Sequence, residues 1–180
     1  LTFKEGILAE IGFRHPKSWP KTIILSFILA IIIELSFQIF FNPFFESITD
    51  TPIELGAFEG IRGNVTAYII MLLVGWVVGG LIEEITFRGY LITRLKKLLG
   101  TRLLILFFIL VLTSVPFGLS HLYQGASGIL STGSIAFIFG FIFIKNKYNL
   151  WLPILTHGFV NTVGLTLIYL NIDLYLRNIW

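Results

Sequence analysis

Apolar residues in this chain come in long blocks. The runs occupy positions 21–41, 64–92, 102–120, 129–144 and 150–170, and short polar stretches separate them. A helix that crosses the hydrocarbon core of a bilayer needs roughly 20 mostly apolar residues. The pattern therefore predicts five membrane-spanning helices, the fourth beginning nearer Gly125 because its apolar run alone is short. Composition strengthens this reading. Of the 180 residues 56% are apolar and 13% are charged, against about 25% charged in a typical soluble domain. An ordinary cytosolic domain and a disordered chain are both excluded, since neither carries so much apolar surface. The expected fold class is all-α, a polytopic membrane helix bundle with about five transmembrane helices.

Charge sets the expected orientation. The N-terminal segment holds Lys4, Arg14, Lys17 and Lys21; the next connection holds Glu46, Asp50, Glu54 and Glu59 against Arg62. Arg94, Lys96, Lys97 and Arg102 follow, then an uncharged connection at 123–127, then Lys145 and Lys147. Basic connections stay on the cytoplasmic side, so an integral, multi-pass membrane protein with a cytoplasmic N-terminus is expected. The net charge of +3 and pI of 9.3 serve that orientation, and lipid, not nucleic acid, is the expected partner. Trp19, Trp151 and Trp180 fall near predicted span ends, where interfacial anchors belong, and Trp76 does not. The first span lacks a small-residue cleavage site and is read as a retained helix. The chain divides into 1–63 (basic segment, first helix, acidic outer loop), a core at 64–170 and a C-terminal tail at 171–180. The absence of cysteine excludes a disulfide framework, a Cys-ligated zinc and a thiol nucleophile.

Ionisable groups inside a span are costly, by about 2.5–3.5 kcal/mol at the helix centre on insertion scales, and are functional candidates by default. Here they are Glu34, Glu83, Glu84, Arg88, His121 and His157, with Asn161 as a polar companion. Glu84 and Arg88 stand four residues apart, acid first, a spacing that lets them neutralise each other. Glu83 is turned about 100° away on a regular helix and has no local cation, which suits a general base. His157 and Asn161 also stand four apart and point the same way, as do Phe117 and His121. Glu34 lies mid-span on the first helix, placed either to pair with another helix or to face a cavity. Gly75, Gly79 and Gly80 read as close helix packing. A carboxylate, two histidines and an amide on three separate apolar helices, gathered in one cavity, suit hydrolysis by an activated water.

Three motifs occur in order: Glu-Glu-x-x-x-Arg at 83–88, Phe-x-x-x-His at 117–121 and His-x-x-x-Asn at 157–161. Over about 64–165 the chain resembles the CPBP family of intramembrane proteases, also called the Abi or type II CAAX prenyl endopeptidase family. The resemblance implies an intramembrane endopeptidase acting on a peptide or membrane-protein substrate, with or without a prenyl group. It implies Glu83 as the essential acid, His121 as its partner in activating water, and His157 with Asn161 as the oxyanion site. Glu84 and Arg88 take supporting places. Larger members carry up to eight spans against about five here.

The family has been described as metalloproteases, so a zinc ion held by His121, His157 and Glu83 is one expectation. A metal-free glutamate mechanism is the favoured one. The His-Glu-x-x-His helix is absent, and the Asn161 amide suits an oxyanion better than zinc. Depth raises one difficulty. At 1.5 Å per residue Glu83 lies about 16 Å from Arg94 and His157 about 10 Å from Leu150. His121 lies about 28 Å from Arg102, too far toward the outer side unless its helix starts outside the bilayer, tilts, or kinks at Pro116. Two rival classes are a non-catalytic immunity or peptide-binding membrane protein and a small proton-coupled transporter. No inverted repeat supports the transporter.

Overall fold

The computed structural model describes residues 3–177, and among these the regular structure is helical. The helices are α1 (Phe3–Glu10), α2 (Trp19–Thr49), α3 (Val65–Leu99), α4 (Leu103–Leu119), α5 (Gly125–Lys145), α6 (Trp151–Tyr169) and α7 (Ile172–Arg177). Single 3-10 turns at Gly56–Ile61 and Leu122–Gln124 lead into α3 and α5. Among the described residues four helices are long and apolar enough to cross a membrane: α2, α3, α6, and α5 with its leading turn. The remaining expected span, α4, is a shorter apolar helix of 17 residues, at the lower end of the spanning range.

Two helices outrun their apolar blocks. In α2 a wide π turn at Phe37–Phe41 ends two residues before Pro43. Proline lacks an N–H and presses on the preceding turn, which would end a regular helix; the wider turn absorbs it. The helix then continues to Thr49 and stops at Asp50, whose φ of 53° lies in the left-handed region. In α3 the basic residues Arg94, Lys96 and Lys97 belong to the last helical turns.

The centre of the bundle is α6, which packs against α2 and α3 and touches α5; α4 pairs with α5. Ala30, Ile33 and Phe37 of α2 close with Phe139 of α5 and Val160 of α6. Outward faces stay apolar, with Leu73, Val77, Phe107 and Phe108 exposed, as surfaces against lipid must be.

The charge alternation of the sequence becomes two distinct ends. At one, Arg94 and Lys97 pair with Glu10, and Lys96 sits over the Tyr148 ring. Asn149 Nδ2 there donates to the Arg14 carbonyl at 2.8 Å. Trp19 and Trp151 meet edge to face at the same end, with centroids 5.0 Å apart; Trp180 lies outside the described residues. At the other end, Glu54 N donates to the Gln124 carbonyl and Ile53 N to Glu46. Arg62 there grips Asp173 through two 2.8 Å bonds, which pins α7 to the turn before α3. The hydrogen bonds that Arg62 donates to Asp173, then to Glu59, push its pKa above the ordinary value.

Candidate active site

The acidic motif lies on a distorted stretch of α3. Gly75–Glu83 and Ile85–Ile92 are both wound as π turns, with Glu84 at their junction. Such turns replace the i→i+4 bond with i→i+5 and recur at functional sites. The expected Glu84–Arg88 pair forms, with Arg88 NH1 2.9 Å from Glu84 Oε1 and both side chains at 2% exposure or less. Arg88 NH2 donates to the Ala136 carbonyl of α5 at 2.9 Å. Its guanidinium lies 4.9 Å from the Phe117 ring centre and 5.4 Å from that of Phe139.

Glu84 does more than neutralise Arg88. Its Oε1 also lies 2.8 Å from His157 Nδ1, a buried contact from α3 to α6. A carboxylate accepts, so Nδ1 carries the proton and Nε2 is left to face the cavity. There His157 Nε2 stands 3.9 Å from Glu83 Oε2. That is too long for a direct hydrogen bond and short enough for one water to touch both. The His157 ring packs against Phe139, centroids 4.8 Å apart. Glu84 Oε2 is buried without a hydrogen-bond partner among the described residues.

One turn on, Asn161 Nδ2 donates to the Gly75 carbonyl at 2.8 Å, which leaves one amide N–H free. The glycines of α3 make this fit possible. A Cβ on Gly79 would stand 2.5 Å from Asn161 Nδ2 and 3.2 Å from His157 Nε2. Gly80 lies against the backbone of Ile154 and Gly158. Close packing is therefore the role of Gly80, whereas Gly75 and Gly79 clear space for polar side chains of α6.

His121 reaches the cavity by another route. The helix α4 ends at Leu119, past Pro116, and His121 sits in the turn that follows. Its ring folds back to stack on Phe117 at 5.1 Å, with Nδ1 3.0 Å from the Phe117 carbonyl. A carbonyl only accepts, so Nδ1 carries that proton and Nε2 is the free nitrogen. His121 lies two residues past the helix end, and its ring turns back by about one turn onto Phe117, which brings it to the cavity wall.

Glu83, His121, His157 and Asn161 thus line one cavity of about 350 Å³. Glu83 and His121 share no direct hydrogen bond, while Glu84 and Arg88 sit behind the cavity wall. Glu34 also lines it, from α2, beside Gln38. Sequence reasoning missed Phe139, one of 18 phenylalanines with no distinguishing signal, and Gln38, whose four-residue spacing from Glu34 was such a signal. Among the described residues no group of three His, Asp or Glu is placed together to hold a metal ion.

The molecule is a polytopic helical membrane protein with an acid, imidazole and amide cavity between its helices. A family model described as type II CAAX prenyl endopeptidase Rce1-like matches residues 65–163, more than half of the chain, and the chain belongs to that family. It is also 30% identical over 104 residues to a Bacillus subtilis protein named "Putative membrane peptidase YdiL". That match takes in 58% of this chain and 39% of the relative's length. No solved structure matches.

Proposed function

We propose that the chain is an intramembrane endopeptidase whose water is activated by Glu83. The reading is carried by one observation: Glu83 Oε2 and His157 Nε2 stand 3.9 Å apart on the wall of a cavity that His121 and Asn161 also line. A water between them gives a proton to Glu83, with His121 Nε2 as the second acceptor, and its oxygen adds to the substrate carbonyl carbon. The oxyanion takes a hydrogen bond from the free Asn161 N–H, beside the His157 ring that Glu84 orients. Glu83 then passes its proton to the departing amine as the peptide bond breaks. Glu84 and Arg88 hold the His157 ring. No step in this reading needs a metal ion. The basic end of the bundle is the cytoplasmic one on this reading.

The substrate is a peptide segment within the membrane. A prenylated peptide is the second substrate reading. It is favoured by an apolar cavity of about 520 Å³ lined by Phe37, Phe41, Phe45, Val115 and Phe137.

The test is cleavage of a membrane peptide by the purified, reconstituted chain. Glu83→Gln and His121→Ala are expected to lower turnover by about 1,000-fold or more with the fold intact, since each removes a group acting on the water. Undiminished turnover in either variant rejects the mechanism. The same assay run with a strong chelator is expected to show no change; full loss with zinc rescue overturns the metal-free step.

A further inference from the structure

We propose that the α2 wall of the cavity is a specificity subsite for a cationic side chain, Lys or Arg, of the substrate peptide, and that Glu34 recognises it. The word substrate rests on the peptidase reading above; the recognition itself does not. Glu34 lies outside the family-matched region of 65–163, so the feature belongs to this chain's own first span. Its side chain is buried, at 7% exposure, and lines the cavity. Oε1 accepts a 2.9 Å hydrogen bond from Gln38 Nε2. Oε2 accepts none from any described residue, yet it is not sealed off as Glu84 Oε2 is. The room for this carboxylate comes from α6, where a Cβ on Gly164 would stand 2.9 Å from Oε1.

The surroundings select for positive charge. Glu34, Gln38 and Asn42 stand four residues apart and line the same wall, with Asn42 Oδ1 accepting from Ser131 Oγ at 2.7 Å. The cavity lining holds two carboxylates, Glu34 and Glu83, and no Lys or Arg. Its outer wall is formed by Ile53, Leu55 and Phe58 of the acidic connection, whose Arg62 is engaged by Glu59 and Asp173. A cleft lined by one sign of charge with low-dielectric walls concentrates ligands of the other sign. A carboxylate buried in a membrane calls for a partner, and here the open position is at Oε2. Lys and Arg supply it: an apolar stem lies along the cavity wall while the terminal N–H groups reach the acid. An anionic group at the same place meets two like charges.

The experiment separates recognition from chemistry. The full chain carrying Glu83→Gln is reconstituted in phosphatidylcholine vesicles. It is titrated, by fluorescence anisotropy, with a labelled apolar peptide of about 20 residues bearing one central Lys, and with the same peptide bearing Gln instead. The Lys peptide is expected to bind about tenfold tighter or better, the effect of a desolvated charge pair. Adding Glu34→Gln is expected to bring the ratio close to one, and Glu34→Asp to leave it between the two. Equal affinities for both peptides, the absence of binding by both included, overturn the proposal. So does a Lys preference that survives Glu34→Gln. Where Glu34→Gln does not fold, Glu34→Asp serves in its place: a lowered ratio supports the subsite and an unchanged ratio overturns it. Failure of the peptidase reading is seen separately, as Lys-dependent binding without cleavage when Glu83 is present.

Discussion

The helices α3 and α6 face each other across the site and are built in opposite ways. Half of the membrane window of α6 is buried, and its His157 and Asn161 stand on one face of a regular helix. Only 11% of the window of α3 is buried, and its middle is wound in π turns from Gly75 to Ile92. The buried helix itself is placed by packing on three neighbours. The peripheral helix has lipid on most of its surface and must hold its own by other means: a distorted backbone, glycine clearances and a buried ion pair. The site is therefore fixed from one side by close packing and from the other by electrostatics.

The comparison breaks most visibly at Arg88. Replacing it with Met keeps the apolar stem and removes the charge that faces Glu84, the Ala136 carbonyl and the Phe117 and Phe139 rings. Removing one partner of a buried pair leaves an uncompensated charge and costs about 3–5 kcal/mol. Arg88→Met is expected to lose that much in reversible unfolding from mixed micelles. The double change Glu84→Gln with Arg88→Met is expected to recover a large part of it, because the two are coupled. A loss below about 1 kcal/mol in the single variant sinks the claim that α3 is held electrostatically.

Next in size is Gly79→Ala. The new methyl group would meet the end of the Asn161 side chain at 2.5 Å, which can swing away, and the edge of the His157 ring at 3.2 Å, which need give only a few tenths of an ångström. Backbone packing is spared, and alanine favours the helix by up to about 1 kcal/mol over glycine. Stability is expected to stay within about 1 kcal/mol of the parent while turnover falls about 100-fold, the usual cost of misplacing one oxyanion donor. Equal losses of stability and turnover show that Gly79 serves packing alone.

These features differ in how plainly the sequence carried them. Charged and polar residues inside apolar blocks are conspicuous. Glu83, His121, His157 and Asn161 were singled out on that ground, and all four line one cavity. The Glu84–Arg88 pair was legible because its partners are four residues apart. The bond from Glu84 to His157 was not, since its partners lie 73 residues apart and only the packing of α6 on α3 joins them. Helix ends were misjudged where hydropathy was the only guide. Hydropathy marks where the apolar block stops, and α2 and α3 run on beyond it into polar surroundings. The π turns left no periodic trace, because a stretch exposed to lipid on most sides has no polar face to reveal its pitch.

The smallest expected effect tests how little α3 and α6 depend on any single direct hydrogen bond. Trp76 lies about a third of the way along α3, over Gly158 of α6, and its Nε1 donates to Thr162 Oγ1 at 3.0 Å. Trp76→Phe keeps an aromatic ring over the glycine and removes the donor. Thr162 Oγ still donates to the Gly158 carbonyl at 2.8 Å, so no buried hydroxyl proton is orphaned. Interhelical hydrogen bonds in membranes average about 0.6 kcal/mol, because the unfolded helices also find partners in lipid. The expected loss in reversible unfolding is of that order, with a Thr162→Val partner in a double-mutant cycle returning a coupling of similar size. A coupling above about 2 kcal/mol contradicts the division drawn above. It makes the Trp76–Thr162 bond, and not the Arg88–Glu84–His157 network, the main tie between the peripheral helix and the central one.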